Sequence, residues 1–230
     1  MKLRYAVLAV AAVVTIPTAS AASLSLASQN LTPLRTCILS GYPSTTTDEI
    51  DAMVEQTNAG TNYGTNAHIE IESHTTTNIR TYIQFLVSVC SPAIPKTATV
   101  LSATLRLYAT ALPATCRTED IFPVTATWTE AGITWTNQPF GTTLNNPASG
   151  YTAQMQVGTT CTTNKAAGYV TGWTVTADVQ RFAAGSATNY GWMIRDDVEG
   201  SATAYTTTYE AKNGNSATED PQLVISWEGA

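Results

Sequence analysis

Residues 80–109 read RTYIQFLVSVCSPAIPKTATVLSATLRLYA, two alternating runs separated by the proline-bearing link Cys90-Ser91-Pro92-Ala93-Ile94-Pro95. Strand side chains alternate between faces with period two. In the first run Ile83, Phe85, Val87 and Val89 share one face, and Arg80, Tyr82, Gln84 and Ser88 the other. In the second, Leu101, Ala103, Leu105 and Leu107 face away from Ser102, Thr104, Arg106 and Tyr108. The pattern predicts two consecutive strands forming a hairpin with one apolar face, the opposite face being wet or partnered. A two-stranded unit of this kind is unstable alone, so a second sheet must cover it.

The flanking segments extend the same reading. Residues 50–56 and the clear alternation His68-Ile69-Glu70-Ile71-Glu72 predict strands before it, the latter with two acids outward. Residues 120–128 predict a strand placing Phe122, Val124, Ala126 and Trp128 on one face. Short strands are expected at 154–157, 173–175, 192–195, 204–209 and 223–227. Val175, Val179 and Phe182 fall at helical spacing, with Thr176 as cap and Gly185 as stop, so one short helix is expected there. Many short strands with regular turn signals indicate an all-β fold, a jelly-roll-like antiparallel β-sandwich.

The N-terminus has Lys2 and Arg4, an apolar run over 5–16 and the small-x-small site Ala19-Ser20-Ala21, the layout of a secretory signal peptide. The run is shorter than the roughly 20 apolar residues a membrane span needs, so stable membrane insertion is not expected. The expected organisation is a signal peptide at 1–21, a flexible segment or loosely attached first strand at 22–47, and one domain at 48–230. Removing the leader leaves nine basic against 17 acidic residues, a net charge of −8, which disfavours nucleic acid as partner.

An oxidising, extracellular destination makes disulfides the reading for Cys37, Cys90, Cys116 and Cys161. Three pairings are open. Cys90 and Cys116 flank opposite ends of a long strand, which favours Cys37 with Cys90 and Cys116 with Cys161.

Chemistry-bearing patterns are few. The only histidines are His68 and His74, and His68 shares its strand face with Glu70 and Glu72. No glycine-rich elbow surrounds a serine. Glu130 with Asp178 or Asp196 could supply the carboxylate pair of a glycoside hydrolase, yet Glu130 sits in a turn, where a carboxylate serves backbone N–H groups. Asp196-Asp197-Val198-Glu199-Gly200 carries hard oxygen ligands but lacks calcium-hand spacing; no cofactor is expected, structural calcium being the one this loop leaves open. Asp51 and Arg80 could pair across neighbouring strands as a fold-specifying ion pair. The tetrapeptide Thr61-Asn62-Tyr63-Gly64 recurs as Thr188-Asn189-Tyr190-Gly191, either a reused turn or two tyrosines rimming one site.

Ordered segments carry a family resemblance: DAMV at 51–54, Asn62-Tyr63-Gly64, RTYIQF at 80–85, LSATLRLY at 101–108, Trp128-Thr129-Glu130, ITWTNQP at 133–139 and PQLV at 221–224. Together they resemble the DNRLRE domain, also called carbohydrate-binding module family 96. The resemblance implies a secreted, non-catalytic β-sandwich, some of whose relatives bind acidic polysaccharides. Sugar binding by such a fold uses exposed rings against pyranose faces. Tyr63, Trp135, Tyr151 and Tyr190 occupy or border loops and are the expected ligand contacts, with Asp51, Asn62, Arg80 and Glu130 structural. Trp128, Trp173 and Trp227 are expected in the core. A structural or adhesive protein that self-associates through sandwich edges is the alternative.

Overall fold

Strand pairing, rather than local propensity, decides where the decisive stretch goes. The computed structural model describes residues 33–214 and 216–229; the expected signal peptide lies outside the described residues. Along the chain the strands are β1 (Arg35–Ser40), β2 (Glu49–Glu55), β3 (His68–Ser73), β4 (Ile79–Phe85), β5 (Thr99–Arg106), β6 (Tyr108–Ala111), β7 (Arg117–Pro123), β8 (Ala153–Val157), β9 (Gly168–Tyr169) and β10 (Trp173–Thr174). The helix α1 (Thr176–Ala184) follows, then β11 (Trp192–Asp196), β12 (Tyr205–Glu210) and β13 (Gln222–Glu228). A small sheet has the order β1-β13-β5-β10, and a large one β8-β7-β11-β4-β3-β12-β6-β9, with β2 also pairing along β4. Every pairing is antiparallel.

The two runs of 80–109 are therefore not a hairpin. β4 is central in the large sheet and β5 in the small one, so they face each other across the core. Ile83 and Phe85 meet Ala103 and Leu105 there, with Ile69, Trp173, Trp192 and Trp227. The second run also divides: β5 ends at Arg106, and the chain enters the large sheet as β6 from Tyr108. Leu101 departs from its expected face and is 48% exposed. The β13 register shifts between Ser226, opposite Ser102, and Trp227, opposite Val100. That bulge leaves Leu101 unpaired and turns Val100 inward in its place. Val89 likewise is exposed, because β4 stops at Phe85 and a short 3-10 turn follows.

Both faces of β4 are covered. Beneath its outer face Tyr82 joins Ala52, Val54, Phe122, Val124, Trp128, Ile133, Trp135 and Met193 in a second apolar cluster. The segment 124–147 forms this cover without a strand of its own. Arg80, fully buried on that face, pairs with Glu199 through Nε at 2.7 Å and Nη2 at 2.8 Å. The expected Asp51–Arg80 pair does not form: β2 and β4 do pair, but in register Arg80 faces Val54. Asp51 instead accepts the Lys212 backbone N–H at 2.8 Å.

The two disulfides join Cys37 to Cys90 and Cys116 to Cys161, with Cα atoms 5.7 and 4.8 Å apart. Cys37 lies in β1, so the stretch expected to be flexible or loosely attached contains an edge strand paired over Arg35–Ser40 with β13. Thr176 is the first helical residue and not the cap. Its hydroxyl accepts the Ala103 N–H at 2.9 Å, stitching α1 to β5. Gly185 closes the helix in the left-handed region, as expected.

Burial also sets the pH response. Glu119 lies under the core, where Tyr209 donates to it at 2.7 Å, and burial pushes its carboxyl up to about 8. Asp51 is pushed up to about 7, burial again being the main cause. Both groups hold a proton more tightly folded than unfolded. Their contribution is full below the ordinary carboxylate range and is lost as pH rises through about 8. Thermal unfolding of the wild type is expected at lower temperature at pH 8 than at pH 5, and Glu119→Gln should flatten that slope. An unchanged slope in the variant would show that Glu119 is not the group responsible.

Candidate functional site

The cover over β4 is fixed by a side chain whose every donor is used. Besides Glu199, Arg80 gives Nη1 to Gln138 Oε1 at 3.1 Å and to the Gly141 carbonyl at 2.9 Å, and Nη2 to the Thr143 carbonyl at 2.7 Å. Its guanidinium lies 4.7 Å from the centre of the Trp135 ring. Gln138 in turn accepts from Tyr82 Oη at 3.0 Å and donates to the Trp135 carbonyl at 3.0 Å. A buried fork of this sort holds a loop in one place because each lost bond strands a buried polar group.

Trp135 is consequently interior, 3% exposed, and offers no ring face to solvent. The expectation that it contacts ligand took a loop position for an exposed one; the stacked arginine beneath it explains the burial. Trp128, Trp173 and Trp227 are buried as expected. Tyr63 is half-buried with its hydroxyl directed to Glu55. Tyr151 is 46% exposed and stands edge-on to Phe122, centroids 6.4 Å apart. Tyr190 is half-buried and packs against the second apolar cluster.

Asn62 and Glu130 hold backbone together. Asn62 Nδ2 donates to the Glu130 and Ile133 carbonyls at 2.7 and 2.8 Å, and Glu130 Oε1 takes the Lys212 ammonium at 2.7 Å. The repeated tetrapeptide does the same work twice. Asn189 donates to the Phe85 carbonyl at 2.7 Å and accepts the Gly191 N–H at 3.0 Å, as Asn62 Oδ1 accepts the Gly64 N–H at 3.2 Å. A β-carbon at Gly64 would lie 2.1 Å from the Glu130 carbonyl oxygen, and one at Gly191 2.1 Å from that of Ile83. Both glycines are there to let backbones touch, so the echo is a reused turn.

Two shallow clefts open beside these turns. One, of about 230 Å³, is lined by Pro123, Val124, Thr125, Phe182 and Tyr190 with Arg181 and Thr188 at its edge. The other, of about 270 Å³, is lined by Thr127, Trp128, Thr129, Gly132, Ile133 and Asn137. One hydrogen bond links their walls, Trp128 Nε1 donating to the Tyr190 carbonyl at 2.9 Å. Neither Tyr63 nor Tyr151 lines them. Among the described residues the hydroxyls of Thr125, Thr127, Thr188 and Tyr190 bond nothing. Arg181 uses Nη2 on Asp178 and leaves its other N–H groups to a side chain 52% exposed. The threonines were the signal that sequence reading passed over, being scattered among many others.

The carboxylates weighed for hydrolysis are engaged elsewhere. Asp178 accepts from Thr152 at 2.6 Å and Trp192 at 2.9 Å, Asp196 pairs with Arg117, and Glu130 with Lys212. In the acid-rich loop Asp196 and Glu199 are taken by Arg117 and Arg80. Among the described residues no group of three acidic, histidine or cysteine side chains is placed to hold a metal ion.

Among known proteins, the sequence model of carbohydrate-binding module family 96 matches residues 42–227. No curated protein matches the chain. Because Trp135 belongs to the cover and not to an exposed surface, Trp135→Ala is expected to cost about 3–5 kcal/mol of stability in denaturant unfolding, whereas Tyr151→Ala should cost under about 1 kcal/mol. A Trp135→Ala protein as stable as wild type would remove the ring from the core.

Proposed function

The chain belongs to carbohydrate-binding module family 96, and from that membership we propose that it is a secreted, non-catalytic module holding an extracellular polysaccharide in the paired clefts around Trp128 and Tyr190. The observation that carries the reading is the make-up of those clefts: an apolar floor of Val124, Phe182 and Ile133 rimmed by threonine hydroxyls that have no partner among the described residues. A pyranose presents the complement, C–H faces with hydroxyls around the edge, and binding it satisfies both kinds of surface at once. Each cleft is smaller than the roughly 300–1,000 Å³ of small-molecule pockets. That size suits successive units of an extended chain held along a surface. Secretion is supported by two disulfides, bonds that persist in oxidising compartments.

The self-associating alternative has one observation in its favour. β1 is the outer strand of the small sheet, and Leu34, Ile38, Tyr42 and Val89 are exposed along or near it. An unprotected apolar edge is a template for another strand.

Affinity electrophoresis through gels cast with neutral polysaccharides tests the leading reading. Retardation is expected for the wild type, with about tenfold weaker binding in Tyr190→Ala, or roughly 1.4 kcal/mol, and a circular dichroism spectrum that still shows the folded protein. Retardation identical in Tyr190→Ala would remove the clefts from the account. No retardation in any gel, with a mass that grows with protein concentration, would favour the β1 edge.

A further inference from the structure

The Lys212 side chain is 4% exposed and stands among three carboxyl groups. Its ammonium meets Glu130 Oε1 at 2.7 Å and donates to the Glu49 carbonyl at 3.0 Å, while its backbone N–H goes to Asp51 at 2.8 Å. Glu49 is fully buried, yet neither oxygen of its carboxyl meets a donor. Burial, with the charge of Asp51 beside it, pushes that carboxyl well up, so it holds its proton more tightly than an exposed glutamate does. Gly41 backs onto both side chains: a β-carbon there would lie 3.1 Å from Glu49 Oε2 and 3.1 Å from Lys212 Cβ. The unpartnered carboxyl is therefore beside the lysine stem.

Ion pairing alone leaves this cluster unfinished. One ammonium serves three carboxyls, and a buried acid without a donor is costly. An ammonium carries three N–H donors, of which two have partners here. A secondary amide carries one, and the Glu49 carbonyl is placed to accept it. The two ends of the pair are also held from behind. Next to Lys212, Asn213 Nδ2 donates to the Gly64 carbonyl at 3.0 Å, and Gly64 is the glycine whose backbone touches that of Glu130. Well-oriented groups fixed in contact react as if at roughly 10⁵–10⁸ M.

We propose that Lys212 and Glu130 condense into an intramolecular amide, a covalent cross-link between the cover segment 124–147 and the turn Lys212–Gly214 after β12, with Glu49 as the proton shuttle. Nζ passes a proton to Oε1 along the 2.7 Å contact, leaving an amine beside a carboxylic acid that the Asp51 N–H, 3.4 Å from Oε1, orients. Nζ then attacks Cδ of Glu130, Oε1 takes a second proton from Glu49 and departs as water, and the nitrogen gives one of its two remaining protons back to Glu49. One C–N bond forms and one C–O bond breaks. No oxidant or co-reactant is consumed, and Glu49 ends as it began. The Glu130 side chain is 24% exposed, which gives the water its way out. The product ties Thr129, Gly132 and Ile133, which line the second cleft, to the turn after β12. It stands independently of what the clefts bind.

The test is intact-mass spectrometry of wild type, Lys212→Arg and Glu49→Gln, each reduced and denatured and each compared with the mass calculated from its own N-terminus, with circular dichroism confirming the fold beforehand. The wild type should be lighter by one water, and Lys212→Arg should not. Trypsin should leave residues 118–165 and 196–230 joined in the wild type, uncut after Lys212, and should separate them in Lys212→Arg. Glu49→Gln keeps the shape of the side chain and has no proton to give. It should be isolated mostly without the link, general acid–base help being worth roughly 10²–10⁴ in rate. A wild-type chain of full mass that trypsin cuts after Lys212 overturns the proposal, and that measurement needs no variant. A lost water that maps to other residues overturns it equally. A folded Glu49→Gln chain isolated fully cross-linked would overturn the role given to Glu49.

Discussion

The Arg80 guanidinium, buried with all its donors spent, is the constraint on which the rest of this structure depends. A sandwich needs only one covered face per sheet, and the small sheet here obeys that economy. The large sheet does not: its outer face carries Tyr82, Phe122 and Met193, apolar groups that a wet face could not bear. Segment 124–147 covers them without regular hydrogen bonding of its own, so something else must hold it. Arg80 does so by reaching from β4 into Gln138, Gly141, Thr143 and Glu199 and by lying under Trp135. Leaving such a charge unpaired would cost several kcal/mol, which makes the arrangement close to all-or-none.

That anchoring gives the clefts their shape. Thr125, Thr127, Trp128, Thr129 and Ile133 belong to the cover, and Tyr190 belongs to the turn before β11 that Asn189 and Gly191 press against β4. The proposed binding surface is therefore assembled from two irregular segments, each pinned to the same central strand by buried polar contacts. Rigid placement matters for a sugar ligand, whose individual contacts are weak and whose affinity suffers from every side chain that must be ordered on binding.

Much of the architecture was legible because it follows from period-two patterning. His68–Ser73 alternates visibly and is β3; Val175, Val179 and Phe182 mark α1; the placement of Cys90 and Cys116 about a strand anticipated the disulfide pairs. Patterning fails where pairing partners decide the outcome. Leu101 looks as inward as Leu105, but it is the extra residue of a bulge in β5 against β13, which reverses it. The runs on either side of Cys90 look like a hairpin, and only the competition among all strands for partners sends them to opposite sheets. The site was less legible. Trp135 reads as a loop aromatic, and nothing local says that an arginine some 55 residues earlier lies beneath it. Glu130 and Lys212 are far apart in sequence and meet only where the cover reaches the turn after β12.

The central claim, that one buried guanidinium fixes the cover from which the proposed binding surface is made, is tested most directly by amide hydrogen exchange on Arg80→Lys. Lysine keeps the charge and lacks the planar fork. The account predicts that protection is lost selectively in 124–147 and in the 196–200 loop, while β5 and β13 of the small sheet exchange as slowly as in the wild type. Unchanged protection across 124–147, or an equal loss in both sheets, would contradict it.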